Sequence, residues 1–122
     1  MTKNWIRKFS LAARGIVYGM QGQTSFAVHV PIGLLVLGLA ALLQCELWQW
    51  CALLLCIGLV LAAEMANSAI EELAAGLSPG HNEHVGRALD IASGAVLIAS
   101  LMSAIVGMII FLTQLMALSS RA

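Results

Sequence analysis

Residues Ala63-Glu64-Met65-Ala66-Asn67-Ser68-Ala69-Ile70-Glu71-Glu72 follow the apolar run Leu53 to Ala62 without any break signal, so one helix should carry both segments. At 100° per residue Glu64, Asn67, Ser68 and Glu71 stand at i, i+3, i+4 and i+7, on one face, with the two carboxylates about 10 Å apart along the axis. Surface helices show polar stripes routinely. This one begins where a long apolar run ends, and ionisable groups within or beside a membrane span are functional candidates by default. The chemistry open to such a stripe is proton transfer or the handling of ions at a membrane edge.

The chain that must position these groups has 122 residues, 61% hydrophobic and 10% charged, which points to a small integral membrane protein with a single domain, residues 1–122. A formal net charge of zero, with sparse cations not interleaved with aromatics, gives no basis for nucleic acid as a partner. Cys45, Cys51 and Cys56 have neither paired spacing nor nearby histidines and lie at or inside apolar segments, where cysteine behaves as a small hydrophobe. No cleavable signal peptide is evident, so the spans themselves must direct insertion.

Residues 4–22 set Trp5, Ile6, Phe9, Ala13, Ile16, Val17 and Met20 against Arg7, Lys8, Arg14 and Gln21, the pattern of an amphipathic helix on the membrane surface. Gly22-Gln23-Thr24-Ser25 breaks that pattern and offers a helix N-cap. A first span follows at 27–43, apolar except for His29, which reads as a hydrogen-bonded structural residue near the interface. Pro31 falls in its opening turns, where a missing amide donor matters least. A tight connector with Glu46 leads to Trp48 and Trp50, an aromatic pair suited to anchoring a helix end at the headgroups. The second span, 47–75, carries the acidic stripe beyond the bilayer until Gly76 and Pro79 stop it. His81, Glu83 and His84 in the next loop fit neither a tetrahedral zinc spacing nor an i, i+4 histidine pair, so a solvated loop is expected. The third span, 86–118, opens with Arg87 and Asp90 and holds Ser93, Gly94, Ser100, Ser103 and Gly107, small residues that permit close helix contact. Lys3, Arg7, Lys8 and Arg14 precede the first span and Arg87 the third, whereas only Arg121 follows it, which predicts a cytoplasmic N-terminus. Three spans then bring the acidic stripe and the Arg87/Asp90 turn to the cytoplasmic side.

At this point Glu64-Met65-Ala66-Asn67-Ser68-Ala69-Ile70-Glu71, followed by Gly86-Arg87-Ala88-Leu89-Asp90-Ile91-Ala92-Ser93-Gly94-Ala95-Val96-Leu97, resembles the signature of the small bacterial diacylglycerol kinase/undecaprenol kinase family. The likeness extends to Gly15-Ile16, Tyr18 and Phe26-Ala27-Val28-His29, and so covers nearly the whole chain. The resemblance implies an all-α membrane protein of the bacterial cytoplasmic (inner) membrane, multi-pass, a homotrimer of three-span subunits each with a surface helix. It implies active sites shared at the cytoplasmic interface and transfer of the ATP γ-phosphoryl group to a lipid alcohol, diacylglycerol or undecaprenol.

Carried over residue by residue, Glu64 matches the general base, Asn67 a residue that orients the reacting groups, and Glu71 a ligand of Mg2+. Ser68, Arg87, Asp90 and Arg14 are the remaining candidates for nucleotide or substrate contact, Asp90 organising the site beside Arg87. No Gly-rich Walker motif is present, so the nucleotide is held in another way. Three positions depart from the family pattern: Gln23 stands where a glutamate metal ligand is usual, Leu89 where a lysine meets phosphate, and Ala75 replaces an acid one turn beyond Glu71. Gln23 still offers a neutral amide oxygen to metal, and Arg87 or Arg14 is the available substitute for the lost cation. Two functions are therefore weighed, an active lipid kinase and a catalytically degenerate homologue that keeps the trimer and lipid binding. A small ion pathway fits less well, because the acids lie at one end of the bilayer rather than through it.

Overall fold

The structure, a computed structural model, describes residues 2–21, 24–77 and 82–121; Gln23 and His81 lie outside the described residues. Four helices follow one another: α1 (Thr2–Met20), α2 (Thr24–Leu42), α3 (Leu47–Gly76) and α4 (Glu83–Arg121). By length and composition α3 and α4 can each cross a membrane, while the apolar part of α2, Phe26–Leu42, is shorter. At 1.5 Å per residue the 30 residues of α3 and the 39 of α4 extend to about 45 and 58 Å, well beyond a hydrocarbon core of about 30 Å. Their polar ends must stand clear of the apolar layer.

α3 is the hub. It packs most extensively on α4, then on α2, and more lightly on α1. The tightest packing lies near the α2–α3 connector, where Ala40, Leu53 and Ile110 are buried and Val36, Trp50, Val106 and Phe111 close around them. The connector itself is held by hydrogen bonds. Cys45 N–H donates to Ala40 C=O at 3.1 Å and Gln44 N–H to Ala41 C=O at 3.2 Å, the paired bonds of a Schellman cap. Such a cap needs a left-handed residue, and Gln44 takes that role at φ 54°. Gln114, buried on α4, reaches across to donate its amide to Leu43 C=O at 2.9 Å and Gln44 C=O at 3.0 Å. At the start of α3, Gln49 Oε1 accepts the Glu46 N–H at 2.7 Å, so a buried side chain closes the helix N-terminus.

Several expected boundaries move. α4 begins at Glu83 rather than Gly86, because Asn82 caps it: its Oδ1 accepts the His84 N–H at 2.9 Å and its C=O the Gly86 N–H at 3.0 Å. Pro31 is the eighth residue of α2 rather than part of its opening turns, since the helix starts at Thr24. The Trp48 and Trp50 pair is split as well. Residues two apart on a helix point in nearly opposite directions, so Trp48 is 58% exposed with its Nε1–H on Glu46 Oε2 at 2.8 Å, while Trp50 turns into the core.

Candidate active site

The stripe on α3 divides by depth. Glu64 and Ser68 point inward and are buried, whereas Asn67 and Glu71, rotated toward solvent, are half-buried. Each pair is spaced i, i+4, so each lies along its own line on the helix surface. In the outer pair Asn67 Nδ2 donates to Glu71 Oε1 at 3.0 Å, and Asn67 Oδ1 is buried with no partner among the described residues. In the inner pair Glu64 Oε1 lies 3.0 Å from Nδ1 of His29 on α2, and the Ser68 hydroxyl is buried without a hydrogen-bond partner among the described residues.

His29, read from the sequence as a hydrogen-bonded structural residue, finds its partner on another helix: the structure sets its ring on Glu64. A signal was present, because His29 stands 17 residues before Glu46 and Glu64 stands 18 after it, and an antiparallel hairpin turning at Glu46 must bring such positions together.

Beside this contact, α2, α3 and α4 enclose an apolar groove of about 570 Å³. His29, Leu61 and Ser100 line one end; Val36, Leu53 and Leu112 line the other. From Ser100 to Leu112 the groove follows α4 for about 18 Å. A second pocket, of about 710 Å³, lies between α1 and α3 and is lined by Gly15, Tyr18, Gly19, Met65, Ser68 and Glu72. Gly19 faces the Met65 thioether so closely that a Cβ there would displace it, which explains why α1 and α3 approach at this point.

The expected cationic groups lie elsewhere. Arg87 pairs with Glu83 along its own helix at 2.8 Å, both side chains exposed, and Asp90 is exposed on the same helix. Arg14 is exposed on α1 beside Ile6, Arg7, Ser10 and Leu11. Leu89 is half-buried. The chain thus gathers His29, Glu64, Asn67, Ser68 and Glu71 on α2 and α3 but leaves Arg14, Arg87 and Asp90 on exposed faces of α1 and α4.

Glu71 and the orphaned Asn67 oxygen make a pair of hard oxygen donors, the type that magnesium takes when water and substrate phosphate complete its shell. Among the described residues no group of three or more His, Cys, Asp or Glu side chains is placed to hold a metal. Of the thiols, Cys45 is pushed up from its ordinary pKa by burial, which keeps it protonated.

Comparison with known proteins matches residues 10–111 to the family described as prokaryotic diacylglycerol kinase. An undecaprenol kinase of Bacillus subtilis is 30% identical over 111 residues, covering 91% of this chain and 90% of that protein. A diacylglycerol kinase of Synechocystis sp. is 34% identical over 117 residues, 94% of this chain, and the match spans 66% of that protein.

Proposed function

This chain belongs to the prokaryotic diacylglycerol kinase family, and from that premise we propose that it phosphorylates a lipid alcohol, diacylglycerol or undecaprenol, with ATP at the cytoplasmic face of the bacterial inner membrane. The observation that carries the reading is a buried carboxylate, Glu64, 3.0 Å from His29, a residue that lines one end of an apolar groove. A lipid tail lying in the groove leaves its hydroxyl at that end, because burying the hydroxyl among Val36, Leu53 and Leu112 would strand a polar group in an apolar lining.

Glu64 acts as general base. It takes the hydroxyl proton as the lipid oxygen forms its bond to the γ-phosphorus, while the bond from that phosphorus to the β–γ bridging oxygen breaks and its electron pair leaves with ADP. Asn67 and Glu71, one to two turns beyond Glu64, face the phosphates, and between them they would hold Mg2+, which supplies charge neutralisation for the triphosphate when bound. Ser68 and Arg14 are the further contacts proposed for nucleotide or substrate. Arg87 and Asp90 reach a site through assembly, as a homotrimer whose α4 from one subunit meets α3 of the next. The N-terminal cations, Lys3 to Arg14, favour a cytoplasmic N-terminus, with α1 on the membrane surface and α2, α3 and α4 as the three spans.

The test is a phosphoryl-transfer assay on purified protein with both lipids, for the parent and Glu64→Gln. Glutamine keeps shape and hydrogen bonding without basicity, so turnover is expected to fall on the order of 10²–10⁴-fold. Near-parental turnover in a correctly assembled variant refutes the base. A parent inactive on both lipids would favour the degenerate homologue, a reading that Leu89 and the Arg87–Glu83 pairing also support.

A further inference from the structure

Glu64 is 2% exposed, among the most buried side chains of the molecule, and its ion-pair partner among the described residues is His29. A carboxylate withdrawn from water needs a partner of opposite polarity, which explains why some polar group must face it. Burial alone does not explain where that partner sits. His29 belongs to a different helix, and its ring also lines the polar end of the groove, so one imidazole touches both the acid and the space proposed for the lipid. The contact runs between Nδ1 and Oε1 at 3.0 Å, so the ring bears directly on how the carboxylate is turned.

We propose that His29 is a positioning residue for the phosphoryl transfer: Nδ1–H donates to Oε1 of Glu64 and fixes the carboxylate with Oε2 directed at the lipid hydroxyl in the groove. The proton removed from the hydroxyl goes to Oε2, and the ring keeps its own proton throughout. His29 thereby ties the register of α2 on α3 to the aim of the base, and this inference rests on the reading of Glu64 as base.

The experiment compares His29→Asn, His29→Gln and His29→Leu in the full-length protein, measuring kcat and lipid KM together with helix content and oligomeric state. An asparagine amide nitrogen falls near the place of Nδ1, whereas a glutamine amide nitrogen falls near that of Nε2. His29→Leu and His29→Gln are expected to lose kcat on the order of 10²-fold, the scale of a small misplacement of a reacting group, with lipid KM little changed. His29→Asn should stay within a few-fold of the parent. Combined with Glu64→Gln, His29→Leu should cause no further loss, because a positioning residue has nothing left to position. Should leucine disturb assembly, the Asn and Gln pair makes the same comparison with polar side chains. Equal impairment of Asn and Gln, or losses that multiply in the double variant, overturns the proposal. A parental kcat for His29→Leu beside an inactive Glu64→Gln overturns it while leaving the base intact. Full activity of Glu64→Gln removes the base, and this inference with it.

Discussion

Asn67 illustrates how much one side chain can contribute here. Its amide nitrogen holds Glu71 while its oxygen is buried without a partner among the described residues, so it both orients the carboxylate proposed as a metal ligand and offers a second oxygen. Asn67→Leu should raise the magnesium concentration for half-maximal rate by roughly 10–100-fold, the usual effect of removing a group that orients a metal ligand. If Gln23 holds the metal as the family resemblance implies, Gln23→Glu should move it the other way, since a second carboxylate neutralises the cation better than an amide. Titrating magnesium against rate for parent and variants checks both, and no change in Asn67→Leu would detach Glu71 from the metal. The stripe itself was legible in the sequence because i, i+3, i+4 and i+7 spacing is local geometry. Its division into a buried pair and a half-buried pair was not, because depth is decided by where α2 and α4 dock. The same holds for His29, whose partner lies on another helix.

At the scale of elements, the helices and their order follow from apolar runs and break signals, while their ends are decided by caps. Asn82 lengthens α4 by one local hydrogen bond that is readable in hindsight, an amide oxygen two residues before the N–H that it accepts. The connector is less legible. Nothing in Gln44 announces a left-handed residue, a conformation that glycine adopts more readily. Gln44→Gly should therefore stabilise the hairpin by about 1 kcal/mol, the approximate penalty of an L-residue in that region, without touching the two carbonyl bonds to Gln114. Gln114→Leu should do the reverse, losing two hydrogen bonds worth about 1 kcal/mol each and leaving two connector carbonyls with fewer donors. Thermal unfolding in one detergent reads both. A destabilised Gln44→Gly would mean that the Gln44 side chain makes up for its strained backbone.

At the scale of the whole molecule, apolar surface is left over on every helix. Leu35, Leu55 and Ile91 are each more than 70% exposed, and α4 packs chiefly on α3. Lipid can cover much of that surface, but small residues at Gly94 and Gly107 also suit close approach by another copy. The site points the same way. Glu64 and Glu71 lie on α3, while Arg87 and Asp90 occupy exposed faces of α4, with Arg87 committed to Glu83 on its own helix. If α4 of one subunit completes the site on α3 of its neighbour, each active site is composite, and damage on the two sides can be separated by mixing. Glu64→Gln subunits and Asp90→Asn subunits, each inactive alone, should then regain activity when unfolded, mixed in equal amounts and refolded together. In a closed ring with random pairing, roughly a quarter of the sites receive an intact α3 from one subunit and an intact α4 from the next. Recovery near that fraction of the parental rate, in material verified as a trimer, is the expected result. A site built within a single chain gives no recovery at any mixing ratio, because every chain carries one defect; that outcome would assign Asp90 to the same subunit as the Glu64 it serves.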